Sequence, residues 1–200
     1  MVKRIFDVIF SFLGLICLFP LHLVVSILIK LDSQGPVLFV QERVGQFNTD
    51  FKIYKYRTMF IDSDKLGLLT LGEEESRITK IGFYLRKYKI DEFPQLINVL
   101  IGNMSFVGPR PEIRKYVNYY SKDDMEILTI KPGVTGYASI KYINETEILE
   151  KAENPEKVYI EEIMPDKIRI NKIYINDHNI FIDFKIIIKT IHKMLTQIIF

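Results

Sequence analysis

The stretch that most restricts this chain lies near its start: from Val8 to Ile29, VIFSFLGLICLFPLHLVVSILI, no residue carries a formal charge. At about 1.5 Å per helical residue, such a run reaches across a hydrocarbon core of about 30 Å. Lys3 and Arg4 precede it and Lys30 follows it, and basic flanks draw both ends toward the cytoplasm. Pro20 interrupts the middle, where it removes a helix hydrogen bond and favours a kink. The run alone therefore admits two topologies, a kinked single span or a segment that enters the membrane and returns to the same face. No A-x-A-like cleavage site follows, so the segment is expected to stay attached.

With 200 residues, 48% of them hydrophobic, the chain suits one domain with ample material for a core. Its 27 basic and 25 acidic residues leave a formal charge of +2, too little to mark a nucleic-acid binder by bulk charge. Any positive field has to be local. Cys17, the only cysteine, excludes an intramolecular disulfide and a cysteine-based metal site. His22, His178 and His192 have no ligand spacing.

Chemistry concentrates between Ile78 and Pro111. The spacing of Ile81, Leu85 and Tyr88 predicts a helix over Thr79 to Lys89, with Lys80, Arg86, Lys87 and Lys89 on its polar side. Pro94, tolerated in a first turn, predicts a second helix start and puts Asp91 and Glu92 at or beside its N-cap. Helix dipole and nearby cations would keep both carboxylates ionised. An ionised carboxylate can serve as a nucleophile or hold Mg²⁺, although the pair by itself also reads as an ordinary helix start. In Gly108-Pro109-Arg110-Pro111, Pro109 and Pro111 restrict the backbone around a guanidinium whose planar fork suits phosphate.

Around this stretch, VLFVQ and FKIYKYRTM predict a β-hairpin across Gly45 to Asp50. Arg43, Lys55 and Arg57 on it either line an anionic groove or form a solvated side. Gly67 to Glu75 reads as a loop, and its Glu73 to Glu75 run is assigned no site role. A helix is expected in the stretch after Pro111, up to Ile130. Pro132-Gly133 marks a turn, and Gly136 permits a close backbone approach. Glu145 to Lys172, with Pro155 and Pro165, predicts short helices joined by turns. From Asp183 onward, Ile187, Ile191, Met194 and Ile198 fall on one helical face and Lys185, Lys189 and Lys193 on another, a basic amphipathic helix suited to an anionic bilayer surface.

The run FLRKYKIDEFPQLINVLIGNMSFVGPRP resembles the core of the bacterial sugar transferases, the monotopic phosphoglycosyl transferases. KRIFDVIFSFLGLICLFP, VQERVGQ, FKIYKYRTM, KPGVTGYASI and FIDFKIIIKTI extend the resemblance over nearly the whole chain. It implies a mostly helical α/β fold with a small β-hairpin and interfacial amphipathic helices. Residues 1–31 would be a re-entrant helix-break-helix anchor and residues 32–200 a catalytic domain folded with it, on the cytoplasmic face of a bacterial inner membrane. The family's break falls at a Ser-Pro pair, where this chain has Phe19-Pro20.

The implied reaction moves a sugar 1-phosphate from a UDP-sugar to polyprenol phosphate and releases UMP. The resemblance makes Asp91 the nucleophile and a Mg²⁺ ligand, assisted by Glu92. It puts Arg43, Lys55 and Arg57 among the substrate-binding cations and Thr135 in the loop on the nucleotide-sugar side, while Arg86 and Arg110 are expected to bind substrate phosphate or to hold the acidic pair in position. Pro20, Pro109 and Pro111 become structural, and the expected partners are donor, acceptor and bilayer, with no nucleic acid. Tyr142-Ile143-Asn144 replaces the family's usual Gly-Arg-Asn, so sugar specificity does not carry over. The rivals are a membrane-anchored binding module, in which Asp91-Glu92 only caps a helix, and an amphipathic protein that shapes anionic membrane.

Overall fold

The computed structural model describes residues 2–61, 63 and 76–199. The expected loop from Gly67 to Glu75 lies outside them. The apolar run forms two helices, α1 (Val2–Cys17) and α2 (Phe19–Asp32), bent by 60° at Leu18. Pro20 falls in the first turn of α2, and no side chain caps that turn, so the break forms without the family's serine. The ladder resumes on both sides, Leu18 N–H donating to Gly14 O at 2.9 Å and His22 N–H to Leu18 O at 2.8 Å. No single described helix is long and apolar enough to cross a membrane; the bent pair is, by length and composition, when taken together.

The face that α1 turns to the protein is polar. Asp7 and Ser11 are buried, whereas Ile5, Ile9, Phe12, Leu13 and Ile16 are exposed, the reverse of a helix on a water-soluble protein. Arg4 donates to the Val99 and Leu100 carbonyls at 2.6 and 2.7 Å, in the last turn of α4 (Gln95–Ile101), where carbonyls lack a full set of helical donors. Asp7 Oδ1 accepts from Ser105 Oγ and Phe106 N, both at 3.1 Å. Lys3 Nζ donates to Asp183 at 2.5 Å and to Val107 O and Tyr174 OH at 2.9 Å. Lys3 and Arg4, the basic flank before the apolar run, are both bound to the body of the protein. At the other end, Asp32 Oδ2 accepts from Ile81 N at 2.9 Å, and Val25 and Ile29 of α2 pack against Tyr56 and Leu85.

The hairpin forms as expected: β1 (Leu38–Val44) pairs antiparallel with β2 (Asp50–Tyr56), in the register Leu38↔Tyr56 to Val44↔Asp50. Phe47 and Asn48 both take positive φ in its turn, the twist that suits a tight hairpin connection. After α3 (Lys80–Lys87) and α4 comes a second pairing that the sequence did not suggest. In it β3 (Ser105–Val107) runs parallel to β4 (Gly133–Thr135). A Cβ on Gly133 would stand 2.1 Å from Gly108 N, and one on Gly136 would stand 2.4 Å from Gly108 O. The two segments cross closer than any side chain allows.

Two expectations change in the second half. The stretch after Pro111 is not one helix but α5 (Arg114–Val117) and a 3₁₀ segment, Asp124–Thr129, where Ser121 and Asp124 bond each other locally in place of the helical ladder. After α6 (Tyr137–Lys141) and α7 (Glu145–Glu150), Pro165 does not break the chain. Instead α8 (Pro155–Val158) passes through a π turn, Tyr159–Ile163, into α9 (Met164–Asp177). Met164 N–H reaches back to Tyr159 O, and this wider turn accommodates the donor that Pro165 lacks.

The last helix, α10 (Ile180–Ile199), starts before Asp183, its first turn capped by Asn179 Oδ1. Its inner face holds Asp183 and Ile186, both buried, and Lys193 turns inward to the Ile140 carbonyl at 2.6 Å. Phe181, Phe184, Ile188, Ile191 and Leu195 form an exposed apolar stripe, which meets α1 where the rings of Phe6 and Phe184 lie 5.1 Å apart. Ile198 belongs to the helix, but its side chain is outside the described set.

Candidate active site

Thr79 caps α3, its hydroxyl accepting from Gly82 N at 3.0 Å. Lys89 then takes a left-handed conformation (φ 55°) and turns the chain into a 3₁₀ segment, Ile90–Glu92. The acidic pair therefore lies one turn before α4, not at its N-cap, which is Pro94. The first N–H groups of α4 are already engaged, Leu96 with Phe93 O and Ile97 with Pro94 O, each at 3.0 Å.

The two carboxylates have opposite surroundings. Glu92 Oε1 accepts from Lys55 Nζ at 3.0 Å, and Arg110 grips both Glu92 oxygens, one of them at 3.2 Å. Burial works against ionisation of Glu92, but Arg110 and then Lys55 hold its carboxyl well below the usual range. Asp91 Oδ1 is buried and has no hydrogen-bond partner. Burial, then the Glu92 charge, raises the Asp91 carboxyl above its ordinary value, while Lys55, Lys89 and Arg86 pull the other way. This differs from the expectation that both ionise alike, because the cations favour Glu92. Burial likewise lowers Lys55, opposed by Glu92.

Arg110 is held by a braced loop. Gly133 N donates to Pro109 O at 2.8 Å and Arg43 Nη1 to Pro111 O at 3.1 Å, while Val44 N donates to Glu112 O at 2.8 Å. The hairpin and β4 thus fix the segment from both sides, adding to what Pro109 and Pro111 do alone. Arg43 spends its other donors on Gln41 Oε1 at 2.9 and 2.7 Å, which makes it a support of the loop. Arg57 does not come to the acidic pair. Buried, it donates to Ser33 O at 2.8 Å and to Gln34 O, tying β2 to the exit of α2, because carbonyls past a helix end need donors.

Beside the pair opens a cavity of about 600 Å³ lined by Lys89, Glu92, Arg110, Glu112 and Thr135, together with Ser139, Tyr142, Glu145 and Lys167. Asp91 itself is not on its wall. Thr135 Oγ1 hydrogen-bonds Thr190 Oγ1 at 2.7 Å. Sequence reasoning missed Glu112, which accepts from Tyr159 OH and lines the same cavity. Its place beside Pro111 was the available signal. Asp91, Glu92, Lys55 and Arg110 come together with the charges of Arg86 and Lys89 nearby, and Thr135 lines the same cavity as Glu92 and Arg110.

Among the described residues no three or more His, Cys, Asp or Glu side chains cluster to hold a metal. Mg²⁺ does not need such a cage, since one or two carboxylates plus substrate phosphate and water suffice. The unpartnered Asp91 oxygen fits that requirement; Glu92, with both oxygens taken by cations, does not.

Residues 1–197 match the model of the family described as bacterial sugar transferase. A UDP-N-acetylgalactosamine-undecaprenyl-phosphate N-acetylgalactosaminephosphotransferase of Aeromonas hydrophila is 35% identical over 98% of this chain and 44% of its own length. UDP-glucose:undecaprenyl-phosphate glucose-1-phosphate transferases of Klebsiella pneumoniae and Caulobacter vibrioides are 36% and 35% identical, over 96% and 97% of this chain. The chain spans 39% of the Klebsiella protein and 70% of the Caulobacter one. With a family match over nearly all of its residues and relatives that align with almost the whole of it, the chain belongs to the bacterial sugar transferases.

Proposed function

We propose that this protein transfers a sugar 1-phosphate from a UDP-sugar to undecaprenyl phosphate, releasing UMP, through a phosphosugar ester on Asp91. The observation that carries the reading is the contrast within the acidic pair: one buried carboxylate oxygen free of partners, beside a Glu92 fully engaged by Lys55 and Arg110. The donors and acceptor in the names of the relatives agree with it.

In this reading the donor's diphosphate competes with Glu92 for Arg110 and Lys55, and their movement exposes Asp91. An Asp91 oxygen attacks the sugar-proximal phosphorus. The bond to the bridging oxygen breaks, and that oxygen leaves with UMP. A phosphate oxygen of the acceptor then attacks the same phosphorus and returns the Asp91 carboxylate, giving the polyprenyl diphosphate sugar. Mg²⁺, held by Asp91 and phosphate oxygens, would supply charge neutralisation on the diphosphate. Arg110 and Lys55 stabilise the transferring phosphate, Arg43 keeps the Arg110 loop in place, and Thr135 meets the donor. Glu92 holds both cations in position between turnovers.

The same reading makes the chain monotopic, seated on the cytoplasmic face of the inner membrane. What supports it is that both ends of the bent pair are tied to one body, through Arg4 and Lys3 at the start and Asp32 at the end. α1 also sends Asp7 and Ser11 inward, and both helices turn large apolar side chains outward. A segment that leaves and returns to one body enters the bilayer without crossing it.

The test is to incubate the protein with a panel of UDP-sugars and Mg²⁺ without acceptor, trap it and map the adduct by mass spectrometry. A phosphosugar on Asp91, absent in Asp91→Asn, is expected. An adduct on Glu92, or UMP released only when the acceptor is present, overturns the covalent reading.

A further inference from the structure

The cavity is larger than a phosphate site requires, and much of its lining is apolar. Beyond Arg110 and Glu92 its walls pass to Phe93, Leu96, Phe106, Ile191 and Met194, and they reach Leu18. Leu18 is the residue at the break between α1 and α2, next to Phe19, which is 65% exposed. Ile191, 51% exposed, belongs to the outward stripe of α10. One continuous space thus joins a phosphate-binding end to the two apolar surfaces turned away from the body.

Resting on the function proposed above, we infer that this apolar end is the entry channel for the isoprenoid chain of the acceptor, reached from the bilayer between Leu18 and the second half of α10. The shape selects an amphiphile. Cations at one end take a phosphate head, walls of Phe, Leu, Ile and Met take an apolar isoprenoid chain, and the opening coincides with surface that only lipid would cover. At about 600 Å³ the space holds a drug-sized ligand and not a whole long polyprenol. The units next to the phosphate enter it, and the rest of the chain stays in the bilayer. A UDP-sugar has no apolar part to offer this end, so the donor is left with the polar wall of Tyr142, Glu145 and Lys167.

Two measurements test the channel. Met194→Trp, which fills it, is assayed in nanodiscs for the KM of undecaprenyl phosphate and, without acceptor, for exchange of labelled UMP into UDP-sugar. A KM raised by about tenfold or more with exchange at the wild-type rate is expected. Lost exchange with an unchanged acceptor KM would assign the space to the donor and overturn the inference, as would no change in either. In case Met194→Trp does not fold, a photo-crosslinking residue at position 194 is compared with one at Ile173, exposed on α9. Labelled undecaprenyl phosphate should crosslink at 194 and not at 173, and unlabelled undecaprenyl phosphate should compete where phosphatidylglycerol does not. Equal competition by phosphatidylglycerol would make it a general lipid groove. Absence of UMP exchange in the wild type would count against the proposed function, while the crosslinks still report on the channel.

Discussion

Replacing Lys3 with Met tests whether the start of α1 is anchored in the protein or held by lipid phosphate. Lys3 Nζ sits among three acceptors: Asp183 Oδ2, the Val107 carbonyl and Tyr174 OH. The Asp183 side chain is only 3% exposed, so losing its cation leaves a charge that water does not reach. Breaking a buried pair by removing one partner costs about 3–5 kcal/mol. Tyr174 OH still donates to Asp183 Oδ1 at 2.6 Å, and Lys3 is partly exposed at 32%, which together place the loss near the lower end, about 3 kcal/mol. For a chain of this size that is a fall in Tm of about 6–12 °C. Denaturant and thermal unfolding in nanodiscs of zwitterionic and of anionic lipid read it, with Asp183→Asn and the double variant completing a cycle. The loss should be the same in both lipids, and the double variant should recover part of it. A loss below about 1 kcal/mol, the scale of a surface pair, or one seen only with anionic lipid, would refute the anchoring argument.

Arg57→Lys should lower stability by about 1–3 kcal/mol, since an ammonium cannot serve both the Ser33 and Gln34 carbonyls as the guanidinium does. The KM for the donor should stay unchanged; a donor defect in a fully stable protein would return Arg57 to the substrate site. Gly133→Ala should cost at least the 1–3 kcal/mol typical of overpacking (roughly), because its Cβ would stand 2.1 Å from Gly108 N, and a normally stable Gly133→Ala protein would contradict the close crossing. The Asp166 carboxyl is held below its ordinary range by bonds from Lys141, Arg169 and Tyr142. Its stabilisation is therefore complete above the unfolded pKa of about 3.9 and disappears as pH falls toward the lower folded value. Denaturant midpoints followed down from pH 6 should drop less steeply in Asp166→Asn than in the wild type, and parallel curves would discount the cluster.

The local elements of the site region were legible because their signals are local. Thr79 before an apolar period marks a capped helix, turn residues between two β-rich runs mark a hairpin, and prolines around Arg110 restrict its backbone wherever it lies. The hydropathy of Val8 to Ile29 with Pro20 inside it likewise contained the bent pair. The N-cap position of Asp91 and Glu92 was misread because Lys89 adopts a left-handed φ, which no composition rule requires of a lysine. The π turn under Pro165 escaped for a similar reason: its bonding is chosen by the packing of Tyr159 and Ile163 in the core.

By itself the sequence determined which residues are charged, where the backbone is stiff or free to turn, and, through motifs spread over nearly the whole chain, the family. Only the tertiary structure decided how the charges are spent. Lys3 and Arg4 look like a flank for the membrane surface until contacts about a hundred residues or more away claim them. Arg43, Lys55, Arg57 and Arg110 are four similar cations in sequence. Folding leaves Lys55 and Arg110 at the acidic pair, turns Arg43 to the loop behind it, and sends Arg57 to the end of α2. The physical reason is that charge pairing depends on distance in space and on burial, and both come from contacts between segments far apart in the chain.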